Sequence, residues 1–251
     1  MSEVNVPTAV IPHTHGHRAF ARLTCVVVLG LALSALAGWW LDNALLRSGI
    51  TGLVSMNPVT AIAFLLGGVA LWLSVSTDPK PRSQLLARLC AGLVVLLGLL
   101  CTSRLFTPWD LGPDRLLFPE ELARVGGGSP NRMAPNTALN FVLVGAALLV
   151  LDRRTRRGWR PAEGLALAAG VFGLVALAGY ICGSKVLYGV GTFIPMAANT
   201  ASGFLVLSIG ILCARPQEGL PALFLGNGAG TILARRLLPA ALIVPLALAW
   251  L

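Results

Sequence analysis

Long uncharged runs alternate along this chain with short charged breaks. The runs are 23–41, 58–77, 89–103, 134–151, 164–184, 196–214 and 237–251. A helix that crosses a bilayer needs about 20 mostly apolar residues. The third run is short, but Arg88 and Arg104 flank it, and arginine stems lie along apolar surface while their heads reach water. The pattern predicts an all-α polytopic membrane protein with about seven transmembrane helices, at roughly 21–41, 58–77, 85–106, 135–151, 161–183, 196–214 and 237–251. Residues 1–20 read as a cytoplasmic amino-terminal tail and 21–251 as one membrane-embedded domain. The last run stops after 15 residues, about 22 Å of helix against about 30 Å of hydrocarbon. It reads as a span cut short, in a piece of a longer protein. The first run is long, and no small-residue cleavage site follows it before a soluble domain, so it reads as a span and not as a signal peptide.

Three of the runs open with one pattern. "MNPVTAIAFLLGG" starts at Met56, "MAPNTALNFVLVG" at Met133 and "MAANTASGFLVLS" at Met196. Each has Met, then Thr four residues on, Ala five on and Phe eight on. Asn57 with Pro58 is a helix start, and so is Pro135. Asn136 and Thr137 follow Pro135, and Asn199 with Thr200 stand in the third copy. Threonine oxygens at these places can accept from the bare N–H groups of a first helical turn. Phe64, Phe141 and Phe204 fall about two turns deeper, where they fill a bundle. Gly67, Gly68, Gly145 and Gly203 permit close helix approach. The expected fold is three successive helical hairpins, each presenting the same corner to one side of the membrane.

Charge then orients the hairpins. Only 12% of residues are charged and mean hydropathy is +0.79, about half the charge of a soluble domain. Thirteen of the nineteen lysines and arginines precede the first span or fall between spans 2 and 3, 4 and 5, or 6 and 7. That bias predicts an amino terminus inside, with all three corners outside. It also accounts for the net charge of +9 without a nucleic-acid partner. The run "RRTRRGWR" is a topology anchor able to meet anionic lipid heads. Trp39 and Trp40 fit an outer interfacial belt, and Trp72 and Trp159 an inner one.

Three positive helix ends with a ring of Asn and Thr suit a small polar or anionic ligand in an outer pocket. The candidate ligand-binding residues are Asn57, Thr60, Asn136, Thr137, Asn140, Asn199 and Thr200. To these the outer loops add Trp109, Asp110, Asp114 and Arg115 from "TPWDLGPDRLLFPEELARVGGGSPNR", and Lys185 and Tyr188 from "CGSKVLYGVGTFIP". In the first of these loops, "PEELAR" reads as a short helix start. Asp110, Asp114 and Arg115 also admit a lipid-headgroup enzyme as a reading, with no spacing that requires it. His13, His15 and His17 lie on one face if extended, a weak candidate for Zn, Ni or Cu in what reads as a tail. The five cysteines fall in apolar segments without a CxxC pair, as small buried hydrophobes do. No acidic residue falls near the middle of a span, which argues against an ion-coupled carrier. No span holds a His for haem or a mid-helix Lys, and no nucleotide, zinc-protease or hydrolase motif occurs. The sequence calls for no cofactor and carries no catalytic residue.

The segments "DLGPDRLLF", "NRMAPNTALNFVLVGAALLVLD", "GYICGSKVLYG", "IPMAANTASGFLVLSIGILCARPQEGL" and "ARRLLPAALIVP" together resemble a known family. They are similar to the multi-pass amino-terminal membrane regions of bacterial PAS-containing sensor histidine kinases and of some diguanylate cyclases. The likeness covers roughly 109–245 and reaches toward Met56 through its Met-Asn-Pro. It departs at Ala198, where His or Pro is expected. The resemblance implies a sensor input domain in the bacterial inner membrane, joined to PAS and kinase modules beyond Leu251 and acting as a homodimer of the full-length protein. It carries over no ligand or catalytic residue. On the residues alone, a small-molecule channel or facilitator built on internal repeats is the alternative. Membrane lipid and an unknown small ligand are the partners expected.

Overall fold

The computed structural model describes residues 14–76, 80–103, 105–106, 113–125, 131–156, 158–184, 187, 189 and 194–215. The side chains of 14–18 and Arg115 fall outside that description, as does the seventh expected span, 237–251. Among the described residues all regular structure is helical. The elements are α1 (Thr14–Trp40), α2 (Ala44–Ser48), α3 (Pro58–Ser74), α4 (Pro81–Ser103), a 3₁₀ turn Pro113–Arg115, α5 (Pro119–Val125), α6 (Pro135–Leu149), α7 (Pro161–Ile181) and α8 (Ala198–Cys213).

The sequence pattern treats the apolar runs as equals, and the structure does not. The apolar parts of α1, α4 and α7 are 22, 23 and 21 residues long, enough to cross a membrane. The motif-bearing helices α3, α6 and α8 have 17, 15 and 16 residues, or about 22–26 Å. Burial divides them the same way. Only about a third of each long helix is buried, and α4 turns Leu85, Leu89, Leu93, Leu96 and Leu99 outward. Such a continuous apolar face is foreign to a water-exposed surface and is that of a membrane protein. The short helices are buried along most of their length.

The reason is their place in the bundle. α3, α6 and α8 all touch one another at the centre. Each long helix lies in a groove between two of them: α1 against α3 and α8, α4 against α6 and α3, α7 against α8 and α6. The result is a pseudo-threefold arrangement with an inner ring of short helices and an outer ring of long ones. Within a hairpin the backbones nearly touch. A Cβ on Gly98 would come within 2.7 Å of the Ala138 carbonyl oxygen, and one on Gly173 within 2.9 Å of that of Ala201. Ala138 and Ala201 occupy the same place in their copies of the motif. Small residues at such crossings give membrane helices their van der Waals contact. The glycines of the motif are used likewise: Gly145 lies against Val95 and Gly203 against the Phe64 ring.

The starts of the inner helices follow local chemistry, with one change from expectation. Asn57 Oδ1 accepts from Val59 N at 2.9 Å, and Pro58 opens α3. In the other copies Asn136 and Asn199 accept from the backbone of Thr137 and Thr200 at 3.0 and 2.9 Å. The threonine hydroxyls do not cap. Asparagine reaches the bare N–H groups first because its oxygen sits one bond further out.

Candidate functional site

The motif end of the bundle brings the three repeats onto one axis. Phe64, Phe141 and Phe204 form a triangle of rings with centroids 4.7, 4.8 and 4.9 Å apart. Each ring lies edge-on or tilted to its neighbours, the arrangement that the aromatic quadrupole favours. One helical turn toward the motif end, Thr60, Thr137 and Thr200 are each only 2% exposed. They line a cavity of about 10 Å³ with Met56, Met133, Met196, Asn57 and Arg132. That volume admits about one water molecule. The sequence suggests an outer polar pocket. The structure has a narrow pit there, and the phenylalanine rings lie one helical turn deeper.

The walls of the pit are fixed by hydrogen bonds to main chain. Trp39 Nε1 donates to the Met56 carbonyl at 2.7 Å, and Tyr180 Oη to the Met196 carbonyl at 2.7 Å. Both donors come from the long helix of the same hairpin. Trp39 is 1% exposed, so its expected place in an interfacial belt is corrected. Its neighbour Trp40 is 82% exposed. An aromatic donor 17 residues before Met56 and 16 before Met196 is the sequence signal that would have found this pair.

Two of the junctions between copies are tied together. Asn57 Nδ2 donates to the carbonyls of Asp114 and Asn131, both at 3.0 Å. Asp114 Oδ2 accepts from Met133 N at 2.9 Å, and Asn131 Nδ2 donates to Ser55 O at 3.0 Å. These bonds join the first corner to the second. The third joins the first through Arg47, whose carbonyl accepts from Met56 N at 3.0 Å and from Asn199 Nδ2 at 2.8 Å. Gly49, at φ +77°, ends α2 and lets the chain turn there. The Arg47 side chain is buried, paired with Asp42 at 2.8 Å and lying 4.9 Å over the Trp39 ring. In the sequence Arg47 stands only as a charge between two apolar runs, and no pattern marks Asn131.

Thus Thr60, Thr137, Thr200 and Asn57 meet at the pit. Asn199 is a tie between corners, Asn136 flanks the start of α6, and Asn140 sits away from the pit with Nδ2 on the Ala169 carbonyl at 3.3 Å. Asp114 is fully buried and acts as a strut, not as a contact on a mobile lid. Trp109, Asp110, Lys185, Tyr188 and His13 lie outside the described residues, as do the side chains of Arg115, His15 and His17.

The opposite end has a different cavity, of about 540 Å³. Gln84, Arg88, Asp152, Arg153 and Arg215 contribute its polar wall. Arg215 is tied to Asp152 at 2.6 Å and to the Ser74 carbonyl at 3.2 Å, which links the ends of α3, α6 and α8. Arg160 closes the α6–α7 turn on the Leu151 carbonyl at 2.7 Å. Compared with protein-family models, with curated proteins and with solved structures, the chain matches none.

Proposed function

We propose that this chain is the membrane-embedded input domain of a bacterial signal-transduction protein, a sensor histidine kinase by its resemblance. It lies in the cytoplasmic membrane with about seven spans and an inside amino terminus. That topology, which rests on the basic-residue bias, puts the motif end outside. The observation that carries the reading is the convergence of three equivalent helix starts on one narrow pit. A ligand or a change in the bilayer that favours one packing of the hairpins shifts the population of bundle states. The movement reaches the cytoplasmic end through α3, α6 and α8, which Arg215 joins just where the chain runs on toward 216–251. Lipid and a small ligand are the partners, and the full-length protein acts as a homodimer.

The channel reading is weaker, because the phenylalanine triangle occupies the axis that a permeant would use. Flux through protein reconstituted in liposomes separates the two.

The deciding test is the coding sequence beyond Leu251, followed by the output of the full gene product in membrane vesicles. A PAS segment and a phospho-accepting His helix, with autophosphorylation altered by T60V/T137V/T200V at unchanged expression, is the expected result. A stop codon within one more helix, or an output untouched by the triple variant, overturns the proposal.

A further inference from the structure

The cavity of about 540 Å³ lies where four helices change hands. Ser74 ends α3, Leu149 ends α6 and Arg215 follows α8, while Gln84 and Arg88 stand in the first two turns of α4. Its volume falls in the range of small-molecule sites. Three arginines and one carboxylate line it: Arg88, Arg153, Arg215 and Asp152. The carboxylate is already answered. Asp152 Oδ1 accepts from two nitrogens of Arg215, at 2.6 and 2.9 Å. Arg88 and Arg153 are exposed, and neither has an ion pair or a side-chain hydrogen bond among the described residues. The wall therefore carries two unbalanced guanidinium charges, and Gln84 adds an amide donor.

Charge selects an anion. The carboxyl-terminal ends of α3, α6 and α8 oppose one, and the amino-terminal end of α4 favours it. At about half a charge per helix end these sum to about −1, and the two free guanidinium groups outweigh them. Guanidinium forks match phosphate oxygens in shape as well as in charge. The setting selects a lipid over a dissolved ion. Arg88 lies seven residues into α4, about 10 Å along it. Leu85 and Leu89 flank it, and Leu93, Leu96 and Leu99 continue the same exposed apolar face. A headgroup at Arg88 thus has a bed for its acyl chains on the same helix. The cation of a choline or ethanolamine headgroup would meet two free arginines and a carboxylate already paired. We propose that Gln84, Arg88 and Arg153 seat the phosphodiester of an anionic phospholipid of the phosphatidylglycerol kind, with its chains along the leucine face of α4. Such a lipid braces the start of α4 against the ends of α6 and α8. This deepens the sensor reading by naming its lipid partner and where that lipid sits, and it rests on that reading only for which leaflet supplies the lipid.

The test uses the full 251-residue chain in dodecyl maltoside micelles. Its thermal unfolding midpoint is followed as phosphatidylglycerol is added, and separately as phosphatidylcholine with the same chains or inorganic phosphate is added at constant ionic strength. A ligand bound to the folded state alone raises the midpoint as its concentration passes Kd. The expected result is a higher midpoint with phosphatidylglycerol and none with the other two. Arg88→Gln and Arg153→Gln should each raise the half-saturating lipid fraction about fivefold, the loss of one basic residue at a lipid surface. R88Q/R153Q should abolish the effect. R154Q/R156Q, which removes the same charge from outside the cavity, should keep it, each variant being compared with its own midpoint in phosphatidylcholine. Equal stabilisation by the two lipids means that no anionic headgroup is selected, and the proposal fails. Equal loss in the two double variants means diffuse surface attraction and also overturns it. Stabilisation by inorganic phosphate that needs Arg88 makes this a site for a free anion and removes the lipid. No signalling output enters the assay, so its failure leaves the sensor reading to its own test.

Discussion

The two ends of the inner helices use different chemistry for the same problem. At the motif end, α3, α6 and α8 begin, so bare N–H groups need acceptors. Asn57, Asn136 and Asn199 supply them with short neutral side chains. At the opposite end these helices finish, and bare carbonyls need donors. There Arg215 and Arg160 reach the carbonyls of Ser74 and Leu151, where a cation also meets the negative end of the helix dipole. The short asparagines draw the corners into contact and leave about 10 Å³ between them. The long arginines hold the ends from a distance beside a cavity of about 540 Å³. Helix direction decides which residue types suit each end, and side-chain length decides how tightly each end closes.

If this contrast holds, damage to the motif half should cost far more than damage to the opposite half. The largest effect is expected from Phe141→Ala, which removes one side of the ring triangle. Loss of a buried aromatic leaves a cavity and costs about 3–5 kcal/mol, read as a lower midpoint in detergent-driven unfolding; a cost below about 1 kcal/mol would mean the triangle does not hold the bundle together. Next comes Gly98→Ala, where the new methyl meets the Ala138 carbonyl. It should destabilise by about 1–3 kcal/mol, whereas Gly92→Ala on the same helix, with open space around it, should be neutral or stabilising by up to about 1 kcal/mol. Equal effects from the two glycines would deny the tight hairpin crossing.

Asn57→Ala removes a helix cap and both bonds to the 113–131 segment, so a loss of about 1–2 kcal/mol is expected. Faster proteolysis or hydrogen exchange in that segment should accompany it. At the other end Arg215→Ala should cost less than about 1 kcal/mol, because its partner Asp152 is largely exposed. Smallest of all is Arg88→Ala, expected within about 0.5 kcal/mol of the unmodified chain. A cost for Arg215→Ala as large as that for Asn57→Ala would erase the difference between the ends.

The helices, their starting residues and the threefold repeat are properties of the sequence by itself. They depend on local rules: uninterrupted apolar length, Asn and Pro before a run, and Phe at a fixed distance within it. Even the short helix at 119–125 is announced by Pro119 with Glu120 and Glu121 in its first turn. Tertiary structure alone decided which apolar helices form the inner ring, because contact with two such neighbours or with four is not written in hydropathy. It decided that Trp39 turns inward to a carbonyl and that Arg47, although charged, is buried between two corners. It also decided the state of the threonines. Their spacing fixes the face they share, but two of the carbonyls one turn back, those of Met56 and Met196, accept from Trp39 and Tyr180, which reach over from other helices. The threonines line the narrow space that three converging helix ends leave between them.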